Sequence, residues 1–173
     1  ASVALSGALA GCALLSSPDP VQLYRFGGAS AFAGTGATSA CPDVHVSMRR
    51  VDFSEASRGD RILAVTGAEA AYIKGARWVS PAETLFEEAL RNAFLDGGTC
   101  TVLSSGPLTR NGLLLSVDVR RFEAAYAAPG AVPDANIVVL LRLIRPGDRS
   151  IVAEDRIAVS ESAGENRQSA IVA

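Results

Sequence analysis

Residues 80–96, SPAETLFEEALRNAFLD, constrain the fold more than any other stretch of the chain. Ser80 and Glu83 have the spacing of a capping box. Pro81 stands at the first helical position, where its missing N–H costs nothing and its φ is already helical. Ala82, Leu85, Phe86, Ala89, Leu90, Ala93 and Phe94 then recur at helical spacing and form one apolar stripe. Glu83, Glu87, Glu88 and Arg91 fall largely on the other side. Acids in the first turns suit the helix dipole, and Glu87 with Arg91 makes an i,i+4 pair. Gly97-Gly98 predicts the end of the helix. A stripe of this width has to be laid on another apolar surface, and the remaining sequence supplies strands.

Val21 to Phe26 (VQLYRF) alternates as a short strand. Gly27 to Pro42 is rich in Gly, Ala, Ser and Thr and reads as a loop. Val44, Val46 and Met48 alternate with His45, Ser47 and Arg49, which predicts a strand with one wet face. Arg58-Gly59-Asp60 reads as a turn rather than an adhesion tripeptide. Arg61 to Thr66 and Ala71 to Trp78 are two further strands, Cys100 to Leu103 another. In Leu113 to Phe122, Leu113, Leu115, Val117 and Val119 line one face. Asn136 to Arg145 and Ser150 to Ser160 flank the turn sequence Pro146-Gly147-Asp148 and predict a hairpin. Ile137 to Ile144 is almost continuously apolar, as expected of a central strand covered on both faces. From Ala163 the pattern turns helical, which predicts a second helix cut short at Ala173. The expected fold class is α+β: a mostly antiparallel or mixed β-sheet with one or two helices packed on one face.

The chain has 173 residues, 49% of them hydrophobic and 20% charged, which suits one domain with a real core. Its net charge of −2 leaves no electrostatic footprint for nucleic acid. The single histidine, His45, lies in a strand and reads as a satisfied or exposed side chain. No G-x-S-x-G, H-E-x-x-H or Walker A sequence occurs. Gly34-Thr35-Gly36 follows a strand, but Ser39 takes the third glycine position and Cys41-Pro42 comes next in place of a helix, which argues against a dinucleotide site. No catalytic residue, cofactor or metal is expected, so the chain reads as a non-enzyme.

The first residues are different in kind. Ala1 to Leu9, ASVALSGAL, are small, apolar and uncharged, and resemble the apolar core of a secretory signal without its basic start. Leu9-Ala10-Gly11-Cys12 then fits the bacterial lipobox. Resemblance to bacterial lipoproteins implies cleavage before Cys12 and attachment of a diacylglyceryl group to its thiol. The alternative is a buried helix that happens to contain Cys12. Residues 1–11 are thus read as a signal remnant, 12–20 as the lipidated cysteine and its tether, and 21–173 as the folded domain. Cys41 and Cys100 remain. In an oxidising compartment they are expected to pair, the alternative being two free buried thiols. No C-x-x-C or Cys/His spacing exists, so zinc is not expected.

Asp60-Arg61-Ile62, then Tyr72, then Gly75-Ala76-Arg77-Trp78, then the capped helix from Ser80 resemble the ABC-type transport auxiliary lipoprotein family, which includes the paraquat-inducible lipoprotein. The lipobox and the later strands extend the resemblance over most of the chain; the loop from Gly27 to Pro42 and the incomplete last helix depart from it. The resemblance implies a periplasmic domain held to the membrane by lipid. Its partners would be a mammalian-cell-entry (MCE) domain protein with an ABC permease and ATPase, moving lipids or hydrophobic compounds. Ala13, rather than Asp, after the lipidated cysteine favours the outer membrane by the sorting rule of enteric bacteria. A homo-oligomer is left open. The alternative is another envelope lipoprotein, such as an outer-membrane assembly or Tol-type scaffold module. Tyr72, Ile73 and Trp78 are the candidate partner-binding residues, with Trp78 equally read as core at the strand-to-helix corner.

Overall fold

A computed structural model describes residues 20–26, 44–96, 101–104 and 112–172. Its organising element is a long strand, β7 (Leu113–Tyr126), whose other neighbours are set by its length. Along one side, β2 (Val44–Met48), β3 (Asp52–Phe53) and β4 (Arg61–Thr66) pair with it end to end, all parallel. Along the other side runs β8 (Asp134–Ile144), antiparallel, and beyond it β9 (Ile151–Ser162), also antiparallel. Beyond β4 lie β5 (Glu69–Trp78) and β1 (Gln22–Tyr24), and β6 (Thr101–Ser104) lies beyond β2. The result is a mixed sheet of nine strands among the described residues, with helix α1 (Ala82–Asp96) on one face and a single helical turn, α2 (Gln168–Ile171), near the C-terminus.

The alternation expected in β7 holds: Leu115, Val117 and Val119 are buried. Strict alternation would then send Phe122 to the opposite face, three residues on. A bulge at Arg120 prevents this. The register with β8 shifts between Val119 and Arg121, and Phe122 returns to the inner face against the core. The helix stripe packs there as expected. Ala82 is fully buried and Leu85 nearly so, with Phe86, Leu90 and Phe94 half-buried against the same cluster. Glu87 and Arg91 form the expected ion pair at 2.9 Å.

Two strand environments differ from expectation. Ser47 is buried, although the alternation assigned it to a wet face. β2 lies between β7 and β6, and alternation along one strand does not report what covers its face. The run Ile137–Ile144 is central, with β7 and β9 on either side, but it is not covered on both faces. Only Val139 is fully buried; the other residues of the run are half-buried. Its apolar side chains serve a surface that α1 covers in part. The second helix is also shorter than expected, because β9 continues to Ser162 and turns consume the next residues.

The helix start is fixed by the turn before β4. The Ala82 N–H donates to the Gly59 carbonyl at 2.8 Å, and the Gly59 N–H donates to the Glu83 carboxylate at 3.0 Å. Glu83 therefore ties the helix to the Arg58-Gly59-Asp60 turn. The Asp60 carbonyl accepts from the Trp78 N–H at 2.7 Å, and its carboxylate accepts from the Arg77 guanidinium at 2.9 and 3.0 Å. Residues scattered through the sequence as D-R-I and G-A-R-W thus meet at one corner. Gly75 has a physical role in that corner. Its φ of 74° falls where the β4–β5 register shifts between Leu63–Tyr72 and Arg61–Arg77, and Ala76–Trp78 also pair with β1 on the other side. The β4–β5 loop is two residues long and starts on Gly67 at φ 59°, as a tight hairpin turn with glycine first requires. In the β8–β9 turn, the Ser150 N–H and hydroxyl donate to Asp148 at 3.0 and 2.7 Å, which holds that exposed carboxyl below its ordinary pKa.

Candidate functional site

The sheet is wider than the helix that lies on it. Helix α1 covers β7 and the near side of β8, while β9 extends beyond its reach. All twelve β9 residues are exposed. Between the helix and this projecting hairpin lies an open groove of about 360 Å³. One wall is Phe86, Ala89, Leu90 and Ala93 of α1. The floor is Val117 and Phe122 of β7 with Ile137, Val139 and Leu141 of β8. The far wall is Ile157 and Val159 of β9, directly opposite Val139 and Ile137. Phe26 closes one end.

The local sequence explains the groove. Of the three alanines in the helical stripe, Ala89 and Ala93 lie four residues apart on one side, and they leave space that Leu or Phe would fill. Among the described residues no titratable side chain lines the groove. The described lining offers dispersion contacts and apolar burial. A second cavity of about 220 Å³ adjoins it, lined by Ile62, Leu63 and Trp78 among others and sharing Phe26, Phe122 and Ile137 with the groove.

Phe122 divides the two. Its ring centroid lies 5.1 Å from Phe26, 5.6 Å from Phe53, 5.7 Å from Trp78 and 6.4 Å from Phe86. Most of these pairs are edge-on or tilted, as the ring quadrupoles favour. This aromatic cluster is a rigid partition, and it fixes the depth of the groove.

The candidate residues from sequence do not converge on the groove. Trp78 is 7% exposed, belongs to the core and lines the smaller cavity. Ile73 packs against the same core, half-buried. Tyr72 is 36% exposed and held within the chain: its hydroxyl donates to the Ala56 carbonyl at 3.1 Å, and the Arg61 guanidinium sits 3.7 Å over its ring. Cys12, Cys41 and Cys100 lie outside the described residues. The strands that follow the last two, β2 and β6, are parallel neighbours with Val44 beside Thr101. His45 is exposed on β2. Among the described residues there is no group of three or more His, Cys, Asp or Glu placed to hold a metal ion, and no helix long and apolar enough to cross a membrane.

The residues that sequence reasoning missed are Ala89, Ala93, Ile157 and Val159. Two small residues inside an otherwise bulky stripe were the available signal on the helix. On β9 apolar residues occur at both parities, so no alternation marks the inner face.

The family model for the ABC-type transport auxiliary lipoprotein component matches residues 29–173. The crystal structure of a Xanthomonas campestris protein of the DUF330 family superposes with a TM-score of 0.67 at 25% identity, covering 87% of this chain and 84% of that one. A crystal structure of an uncharacterized protein superposes with a TM-score of 0.64 over 89% of this chain and 88% of the other. At 15% identity, that second likeness is one of fold alone. No curated protein matches the chain.

Proposed function

The chain belongs to the ABC-type transport auxiliary lipoprotein family, and we propose that it is a non-catalytic component acting by binding its transport partner through the groove between α1 and β9. The partner class is an MCE-domain protein working with an ABC permease and ATPase, and the cargo is a lipid or another hydrophobic compound. Cys12 carries the lipid anchor and holds the domain in the periplasm, at the outer membrane. Cys41 and Cys100 form a disulfide beside the paired starts of β2 and β6; rapid thiol alkylation of both in the unreduced protein would exclude it.

The observation that carries this reading is the lining of the groove. A continuous apolar surface with no titratable group among the described residues is suited to burial against another apolar surface. Reaction chemistry needs a group that can move a proton or a pair of electrons, and the described lining is apolar throughout.

Ala89→Glu tests it. Ala89 is half-buried in the helix wall of the groove. A carboxylate there would have to lose its hydration on docking, so affinity for the purified MCE-domain protein should fall by roughly thirtyfold or more, the scale of an interface hot spot. Glu88→Ala, on the wet side of the same helix, should leave affinity within about twofold. Titrations by calorimetry, with thermal melts on the same samples, separate binding from folding. Unchanged affinity for Ala89→Glu would remove the groove from the interface. No association of the wild-type protein at high micromolar concentration would remove this partner class.

A further inference from the structure

We propose that the free edge of β9 accepts an added β-strand from a partner protein, and that this strand carries two apolar residues flanked by cationic ones on its inward face. The inference rests on the reading that the protein works by binding, and it names where and how the partner backbone docks.

Three observations carry it. First, β9 has twelve residues, all exposed, and among the described residues it pairs with β8 alone. Among the described residues the other strands with a single partner, β1, β3 and β6, have three, two and four residues. A strand this long presents a row of N–H and C=O groups to the free side, although the Arg156 N–H donates to the Asp155 carboxylate at 2.8 Å. It carries no Pro and no Lys, and its register with β8 is regular from Asp134 to Leu143; its inward charges, Asp155 and Glu161, restrict which strand can add to it.

Second, the apolar surface runs without interruption from the groove onto this edge. Ile157 and Val159 form the groove wall and are still 44% and 50% exposed. A strand hydrogen-bonded to β9 would place alternate side chains over these two and extend the floor of the groove.

Third, the inward face has a charge pattern. Opposite Leu141, Val139, Ile137 and Ala135 stand Asp155, Ile157, Val159 and Glu161. Residues directly opposite share a face, so β9 presents acid, apolar, apolar, acid at successive inward positions. The complement is cation-x-apolar-x-apolar-x-cation. The same charges disfavour a second copy of this chain. In a two-fold antiparallel pairing centred on Glu154, Asp155 or Arg156, near the middle of the strand, that residue stands directly against itself. Centring on Ile157 avoids this but sets Val159 against Asp155. Like charges directly opposite are destabilising.

The probe is a capped heptapeptide, KTVTITK, titrated against the whole protein by fluorescence anisotropy, with amide hydrogen exchange followed on β9. Saturable binding is expected, with alternate β9 amides gaining protection, because every second N–H of an edge strand points to the free side. The charge-reversed peptide ETVTITE should bind at least about fivefold more weakly, from about two- to fivefold per flanking charge pair. The variant Asp155→Asn with Glu161→Gln should erase that preference while leaving the protein folded. KTVTITK carrying N-methyl groups on alternate amides along its docking edge should not bind. Equal binding by the N-methylated peptide, no protection of β9 amides, or no binding up to millimolar concentration would overturn the proposal. So would alternate-amide protection that grows with concentration of the protein alone, which would assign the edge to a second copy. If the MCE-domain protein binds without changing exchange in β9, the proposed partner stands and the edge proposal falls. If that protein fails to bind while KTVTITK protects β9, the partner class falls and the edge stands.

Discussion

Trp78→Ala is expected to lower the free energy of unfolding by about 3–5 kcal/mol, the cost of truncating a buried large aromatic. Trp78 ends β5 one turn before α1 and is 7% exposed. Its ring packs edge-on to Phe26 at 5.0 Å and tilted to Phe122 at 5.7 Å. Loss of the indole would enlarge the adjoining cavity of about 220 Å³. The aromatic partition around Phe122 and the strand after Gly75 leave little freedom to close that space. Tyr72→Ala is the internal comparison. Tyr72 is 36% exposed, and its removal gives up a cation–π contact and one exposed hydrogen bond, about 1 kcal/mol together. Urea denaturation of both variants gives the two values directly. Equal costs would mean that Trp78 does not anchor the strand-to-helix corner.

Cys12→Ser is expected to abolish lipidation and leave either uncut precursor or a soluble, mislocalised product. The proposed anchor is a thioether to a diacylglyceryl group, and a serine hydroxyl at this position cannot be substituted for the thiol in that transfer. Each buried methylene contributes about 0.8 kcal/mol, a single acyl chain holds a protein only reversibly, and two chains make the attachment stable. The loss is therefore close to all or none. Fractionation of envelopes after a carbonate wash, with mass spectrometry of the wild-type N-terminus, reads it. A Cys12→Ser protein that is cut and lipidated like the wild type, or a wild-type membrane protein whose unmodified Cys12 is still joined to Gly11, would contradict the anchor.

Much of the architecture was legible because side-chain periodicity reports directly on burial. The stripe of α1 and the alternation of Leu115, Val117 and Val119 were read from spacing; the three β7 residues, Ala82 and Leu85 are buried as read, and the rest of the stripe is half-buried. The Pro146-Gly147-Asp148 turn marked the β8–β9 hairpin. What was not legible depends on neighbours distant in sequence. Ser47 is buried although the strand's own alternation assigns it to solvent, since alternation does not report what covers a face. The bulge at Arg120 changes the face of Phe122 without any glycine or proline to mark it. The apolar run Ile137–Ile144 was read as covered on both faces, since a run of that kind reports only that apolar surface is wanted there. It does not say whether this chain or another molecule covers it. The groove was missed for the same reason: its lining looks like core, and only the reach of α1 across the sheet shows that it is open.

In-cell photo-cross-linking from the groove tests the central claim most directly. A diazirine-bearing residue is placed at Ala89 or Val159, which line the groove, and at Glu88 or Glu69, which are exposed and lie away from it. The account predicts covalent adducts with the MCE-domain partner from Ala89 and Val159 and none from Glu88 or Glu69. Adducts from Glu88 and Glu69 with none from Ala89 and Val159, or no adduct with any component of the transport system from any of the four positions, would contradict it.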